Sequence, residues 1–251
     1  MKKLKSVVSK DKVLKKEVSR LKKMNEELDR FVYSASHDLK APLRSIMGII
    51  NIAQSESKDP KQLEYMGMIF RSTMKLDNFI NDLVNFSRNT RTEIKRENID
   101  FFEIISETLE NLSHMDAGET LHVTSEIERE PFFSDSRRLK IIFSNLISNS
   151  IKYQDKNKKT KPKLNIKVHI NDKKALLTFS DNGEGIAKEN HKKIFNMFFR
   201  ASEQSQGSGL GLFIVHGMIK KLGGTIRVES SPGVGTTFSI SIPNSINSIN
   251  T

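Results

Sequence analysis

The 251-residue chain contains no cysteine, which removes disulfides, thiolate metal sites and cysteine nucleophiles together. That composition is compatible with a reducing compartment, and a cytoplasmic location is the expectation. Glycine and proline are sparse, at 13 and 6 residues, so the chain reads as an ordinary globular protein with many helices. No apolar run approaches the roughly 20 residues needed to span a bilayer. The start, Met1-Lys2-Lys3-Leu4-Lys5, is basic but has no apolar stretch behind it and does not read as a signal peptide. A membrane or sensor segment further upstream is compatible with this start.

What the chain has in excess is positive charge, a formal +11 with a pI near 9.7. Such a balance raises nucleic acid as a partner. The lysines, however, are scattered over the first helix, the 155–163 loop and the 188–193 region, without interleaved aromatics. There is no helix-turn-helix or RNA-recognition motif. The charge reads as a solvated basic surface that favours approach of an anionic nucleotide or an acidic protein, and no nucleic-acid partner is expected.

The first third is patterned as helix. Leu4, Val7, Leu14, Val18, Leu21, Leu28, Val32, Ala35 and Leu39 fall on an a/d seam once Asp11 and Asn25 are counted at their register positions. In that register His37 sits at f, facing water, followed by Asp38 and then by Pro42. An exposed imidazole beside a carboxylate reads as a reactive group rather than a packing one. Pro42 lacks an amide donor and predicts a kink or opening near Asp38 to Lys40. Pro60 is suited to open a second helix, whose apolar face is Leu63, Met66, Ile69, Phe70, Met74, Leu76, Ile80, Leu83, Val84 and Phe86. A single helical hairpin leaves an apolar stripe uncovered, and pairing two buries it as a four-helix bundle, so a homodimer is expected. Asn25 at an a position fits a parallel two-stranded coiled coil.

From about Lys95 to Pro243 strands and helices alternate. Helices are predicted over Phe101 to Met115, Ser136 to Tyr153 and Leu210 to Leu222. Strands are predicted over Leu121 to Ile127, Pro131 to Ser134, Leu164 to Ile170, Ala175 to Ser180, Thr225 to Glu229 and Thr237 to Ile242. This is one mixed sheet covered by helices, an α/β sandwich, with a polar tail from Asn244 to Thr251.

Chemistry-bearing segments cluster in this second part. Asn145 and Asn149 share a helix face, with Lys152 and Tyr153 about a turn on. Carboxamide oxygens suit Mg²⁺, which prefers oxygen ligands and usually keeps waters and substrate phosphates. Asp181-Asn182-Gly183-Glu184-Gly185-Ile186 directly follows an apolar strand, and Asp181 there could accept a hydrogen bond from an exocyclic amine such as adenine offers. A turn with no ligand would look similar. Gly207-Ser208-Gly209-Leu210-Gly211-Leu212 opens a helix, where free amides make an anion cradle. It is neither a dinucleotide fingerprint nor a Walker A loop. Ile194 to Arg200 is an apolar patch that suits a mobile lid, or equally a short core helix.

Order and co-occurrence give these strings their specificity. The chain resembles the catalytic core of bacterial two-component sensor histidine kinases over about residues 25–243. His37-Asp38-Leu39-Lys40-Ala41-Pro42-Leu43 is similar to that family's H box. Asn145 to Tyr153 resembles its N box, Asp181 to Ile186 its G1 box, Phe195 to Arg200 its F box and Gly207 to Leu212 its G2 box. Gly235 to Pro243 resembles the closing strand.

The resemblance implies a leading coiled-coil helix over 1–28 and a dimerisation and phosphotransfer domain over 29–92. It further implies a Bergerat-type (GHKL) ATP-binding sandwich over 93–244 and a disordered tail over 245–251. ATP and Mg²⁺ are the implied cofactors. His37 would accept the phosphoryl group on the ring nitrogen distal to the backbone, with Asp38 holding the proton on the other nitrogen. The group would then pass to an aspartate of a response-regulator receiver domain. Asn149 would ligate Mg²⁺ with Asn145 beside it, and Lys152 and Tyr153 would contact phosphate or ribose.

Asp181 would read adenine, with Gly183, Gly185, Ile186 and Phe198 around the base and Thr237 supporting Asp181 through water. Gly207, Gly209 and Gly211, with Leu210 and Leu212, would host the phosphates, and Arg200 would stabilise the transferring phosphoryl. The joint for bringing donor to acceptor would lie near Arg88 to Lys95. Gyrase- and chaperone-type ATPases place a water-activating glutamate where this chain has Asn145, and an amide cannot act as that base. A GHKL-type ATPase and a coiled-coil scaffold with a weak nucleotide domain are the alternative readings. Many family members carry Thr or Asn where this chain has Ala41, so weak phosphatase activity is expected.

Overall fold

The computed structural model describes residues 38–113, 121–155, 158, 160–201 and 208–245, together with positions 17, 19, 20, 23 and 34–36 of the leading segment. The coiled-coil seam from Leu4 to Val32, Asn25, His37, Met115, Gly207 and the tail beyond residue 245 lie outside the described residues. Two compact units divide between Ser87 and Arg88.

The first unit is a pair of helices, α1 over residues 38–56 and α2 over Pro60–Arg91, whose last residues from Arg88 onward belong to the second unit. The helix is continuous through Pro42, so the expected opening does not appear as a break. Asp59 caps α2 by accepting from the amide of Lys61 at 2.9 Å, and Pro60 opens it as expected, since its missing N–H would have had no helical partner. Leu43, Ile50, Thr73 and Ile80 are buried in this unit. Leu39, Ile46, Ile49 and Ile52 of α1 and Tyr65, Met68, Ile69 and Leu76 of α2 are exposed.

The second unit contains a five-stranded sheet in the order β2-β4-β5-β7-β6. The strands are β2 (His122–Ile127), β4 (Lys163–Ile170), β5 (Lys174–Asp181), β6 (Thr225–Ser231) and β7 (Gly235–Pro243). β2 runs parallel to β4, and the other neighbours are antiparallel. A short separate ladder joins β1 (Glu97–Asn98) to β3 (Phe133–Ser134). Alternation sets one buried face: Leu164, Ile166, Val168 and Ile170, then Ala175, Leu177 and Phe179, then Phe238, Ile240 and Ile242.

The buried side chains of α3 (Phe101–Leu112), α4 (Ser136–Lys152) and α5 (Gly211–Lys221) belong to the same core. Phe143 of α4 meets Phe179 of β5 edge to face at 4.9 Å between centroids. Asp100 and Asp135 cap α3 and α4 by accepting amides of the first turn. This is the expected mixed sheet covered by helices, except that the strand expected over Pro131 to Ser134 lies outside it and pairs with β1 instead. It fixes the C-terminal part of α4 beside the end of β5.

Candidate functional site

β5 ends at Asp181, and the local hydrogen bonds are organised around its carboxylate. Oδ1 accepts from the amides of Gly183 at 2.9 Å and Thr236 at 3.2 Å. Among the described residues, Oδ2 accepts only a long bond of 3.4 Å from the Ser150 hydroxyl. Burial pushes the Asp181 carboxyl above its ordinary value, against the opposing pull of those two amides, Ser150 and the charge of Lys158. Oδ2 is therefore the oxygen with acceptor capacity to spare.

The turn after Asp181 is held from two sides. The Glu184 amide donates to the carbonyl of Tyr153 at 2.9 Å, joining the turn to the end of α4. Gly185, at φ 73°, faces the Ser231 carbonyl so closely that a Cβ would collide with it. The Ile186 amide donates to Ser230 Oγ at 2.8 Å.

On α4 the expected shared face is present. The Asn145 amide donates back to the carbonyl of Ile141 at 2.8 Å, and its Oδ1 lies 2.8 Å from where a Cβ on Gly211 would sit. Glycine at 211 thus lets the start of α5 approach α4. Asn149 is half-buried, and its carboxamide makes no hydrogen bond to any described residue. Lys152 is exposed on the last turn, and Tyr153 is the C-cap residue.

The F-box and G2 strings meet directly. Phe198 has φ 65°, rare for a residue with a side chain, and its amide donates to the carbonyl of Gly209 at 3.2 Å. Gly209 has φ 70°, and a Cβ there would lie 2.9 Å from Phe198 backbone. The Phe198 ring is 54% exposed, while Leu210 is buried just ahead of α5. Leu212 is half-buried in its first turn and Arg200 is exposed.

Thr237 is not where the expectation put it. Its hydroxyl pairs with Ser180 Oγ at 2.8 Å, and its cross-strand partner is Ser180. Side chains alternate along a strand, so Thr237 and Asp181 use opposite faces. The residue opposite Asp181 is Thr236, which is buried and supplies a backbone amide. Ser150, Thr236 and Lys158 are the site residues that the motif reading missed. Ser150 directly follows the Asn149 position, which was the available signal.

Asp38 is helical and exposed. Among the described residues no cluster of three or more His, Cys, Asp or Glu could hold a metal ion, and no helix is long and apolar enough to cross a membrane.

Sheet order, the carboxylate at the strand end and the glycine-rich helix start define a nucleotide-binding α/β sandwich. Comparison with known proteins agrees. Residues 27–92 match the His Kinase A (phospho-acceptor) domain, and residues 134–246 match the histidine kinase-, DNA gyrase B- and HSP90-like ATPase family. The chain is 30% identical over 235 residues to sensor histidine kinase GacS of Pseudomonas protegens, covering 90% of this chain and 25% of that protein. It is 35% identical over 229 residues to cyanobacterial phytochrome B of Nostoc, covering 87% of this chain and 30% of that protein.

The crystal structure of full-length ShkA in complex with AMPPNP superposes with a TM-score of 0.67 at 22% identity, covering 85% of this chain and 45% of that one, a likeness of fold. The chain belongs to the two-component sensor histidine kinases, and what it holds is their catalytic core, with an ATP-binding domain. It spans 25–30% of the length of these two curated relatives.

Proposed function

We propose that this chain transfers the γ-phosphoryl group of ATP to His37 and then to an aspartate of a response-regulator receiver domain. The observation that carries the choice of transfer over hydrolysis is Asn145. Its amide is engaged with the Ile141 carbonyl and packed against Gly211, and a carboxamide has no basic lone pair with which to activate water.

In this reading Asp181 Oδ2 accepts the exocyclic amine of adenine. Gly183, Gly185, Ile186 and Phe198 surround the base, and Lys152 and Tyr153 meet ribose or phosphate. The glycines at 207, 209 and 211, with Leu210 and Leu212, present backbone to the phosphates, and Arg200 offsets charge on the transferring group. The half-buried carboxamide of Asn149, which makes no hydrogen bond among the described residues, fits Mg²⁺, which keeps waters and phosphates rather than an all-protein cage. Bound there, Mg²⁺ would supply neutralisation of the phosphate oxygens.

The exposed apolar residues of α1 and α2, such as Ile49 and Ile52, are what a second copy would cover in a four-helix bundle. A cytoplasmic location accords with ATP as donor.

Incubation with γ-labelled ATP and Mg²⁺ tests the reading. The expected label is lost in acid and stable in alkali, and is absent from His37→Ala. An acid-stable label, or label persisting in His37→Ala, overturns the assignment. A second outcome concerns Ala41, which offers no polar side-chain atom and is exposed on α1. Release of phosphate from a phosphorylated receiver is expected to be slow, and Ala41→Asn to raise it on the order of 10- to 100-fold by positioning water. Fast release by the unmodified chain would refute this.

A further inference from the structure

Outside the motif strings, one side chain sits at the junction of the two segments that hold Asp181. Lys158 lies in the polar loop after α4. Its ammonium donates to the main-chain carbonyls of Asn182 at 2.6 Å, Gly183 at 3.3 Å and Val234 at 2.9 Å. An ammonium has three protons and no acceptor, so these carbonyls use its full capacity. The arrangement is that of a small cation ligated by backbone oxygens, with the cation tethered to the chain.

The carbonyls belong to two separate stretches. Asn182 and Gly183 form the turn after β5, and Val234 lies in the turn between β6 and β7. From these stretches come the two amides that grip Asp181 Oδ1, those of Gly183 and Thr236. The Gly233 amide also donates to the Glu184 carbonyl at 2.7 Å, so the ammonium completes a crosslink between the two turns. Without it, converging carbonyl dipoles would face one another with no positive charge between them.

We propose that Lys158 is a positioning residue for adenine recognition: it acts as a built-in monovalent cation that locks the 182–184 and 233–236 turns around Asp181. The proposal rests on the reading of Asp181 as the adenine acceptor. It makes a particular claim about chemistry. If Lys158 works as a cation, a free cation of similar size should replace it once the side chain is cut back. A long side chain that still fills the space should block that replacement.

The experiment measures ATP binding to the unmodified chain and to Lys158→Ala, Lys158→Met and Lys158→Gln. The buffer cation is tetramethylammonium, too large to enter among the carbonyls, and ammonium chloride is then added. Lys158→Ala is expected to bind ATP roughly 10- to 100-fold more weakly and to regain most of that loss in ammonium. Lys158→Met should show a similar loss that ammonium does not repair. Lys158→Gln keeps donors but no charge, and should fall between the unmodified chain and Lys158→Ala.

Unchanged ATP affinity in Lys158→Ala overturns the proposal, as does a loss that ammonium restores equally in Lys158→Met. Should Lys158→Ala fail to fold, unchanged affinity in Lys158→Gln overturns it and weakened affinity supports it. An unmodified chain that binds no ATP overturns the nucleotide reading and this proposal together. Binding by the unmodified chain with unaffected variants overturns the proposal alone.

Discussion

Asp181→Asn is expected to lower ATP affinity by roughly 10- to 150-fold, corresponding to a charge-assisted hydrogen bond of about 1.5–3 kcal/mol, while leaving the fold intact. The two outcomes separate because the two carboxylate oxygens have different partners. Oδ1 accepts from the Gly183 and Thr236 amides, and an asparagine oxygen placed there keeps both bonds. Among the described residues, Oδ2 has only the 3.4 Å contact from Ser150. An amide NH₂ in its place can donate to the Ser150 hydroxyl, which itself donates to the Leu146 carbonyl at 3.2 Å. The protein side is satisfied, but the group facing the nucleotide has become a donor. Adenine presents a donor there too, so the pair repels. A 6-oxo purine presents an acceptor, so GTP binding should suffer less than ATP binding. Calorimetric titration with both nucleotides decides the matter, and equal losses for the two would count against Asp181 as the base reader.

The same residue sets a pH dependence. Burial is the leading cause that raises the Asp181 carboxyl, so its folded-state pKa lies above its unfolded value. Such a group contributes stability fully present below the unfolded pKa and lost as pH rises through the folded one. At neutral pH the ionised carboxylate therefore costs folding free energy, and Asp181→Asn should unfold no more readily than the unmodified chain, with any gain vanishing in acid. Nucleotide binding runs the other way. It needs the ionised acceptor and is lost as pH falls through the folded pKa. The raised pKa places that loss at higher pH than an ordinary aspartate would.

How much of this was legible beforehand varied with the range of the interactions. Local signals read well: Pro60 at the start of α2 and the alternation of β4 and β5 both reappear in the structure. Interactions across the chain did not. β1, only Glu97–Asn98, exists because it pairs with Phe133–Ser134, and two residues carry no period. Thr236 and Thr237 are adjacent and alike, so only the register with β5 says which lies opposite Asp181. The expectation began that strand at Thr237, whereas it begins at Gly235. Lys158 stands among several lysines of one polar loop, and nothing local marks it as the one that reaches carbonyls at 182, 183 and 234.

Arg138→Met is expected to destabilise the second unit by about 3–5 kcal/mol, the cost of breaking a buried ion pair by removing one partner. The Arg138 side chain is fully buried and paired with the equally buried Asp135. Its guanidinium also donates to the carbonyls of Asn89 at 2.7 Å and Glu93 at 3.4 Å, to the Thr92 carbonyl, and to Thr92 Oγ1 at 3.1 Å. Carbonyls at a helix end have no intrahelical donors, and here one planar fork serves the end of α2 and the residues that follow. Methionine leaves these acceptors and the Asp135 carboxylate without that donor.

Lysine retains the charge but not the fork, so Arg138→Lys should recover only part of the loss. The double variant Asp135→Asn/Arg138→Met should be less destabilised than Arg138→Met. Asparagine carries no charge, and its single oxygen can still cap α4 at the Arg138 amide, although its NH₂ then stands where the other carboxylate oxygen accepted the Lys95 amide. Denaturant unfolding of the full chain, followed by a probe in the second unit, measures all three. A loss below about 1 kcal/mol in Arg138→Met would place it among ordinary surface substitutions. It would sink the idea that this buried fork secures residues 89–93 to α4, the helix that carries Asn145 and Asn149.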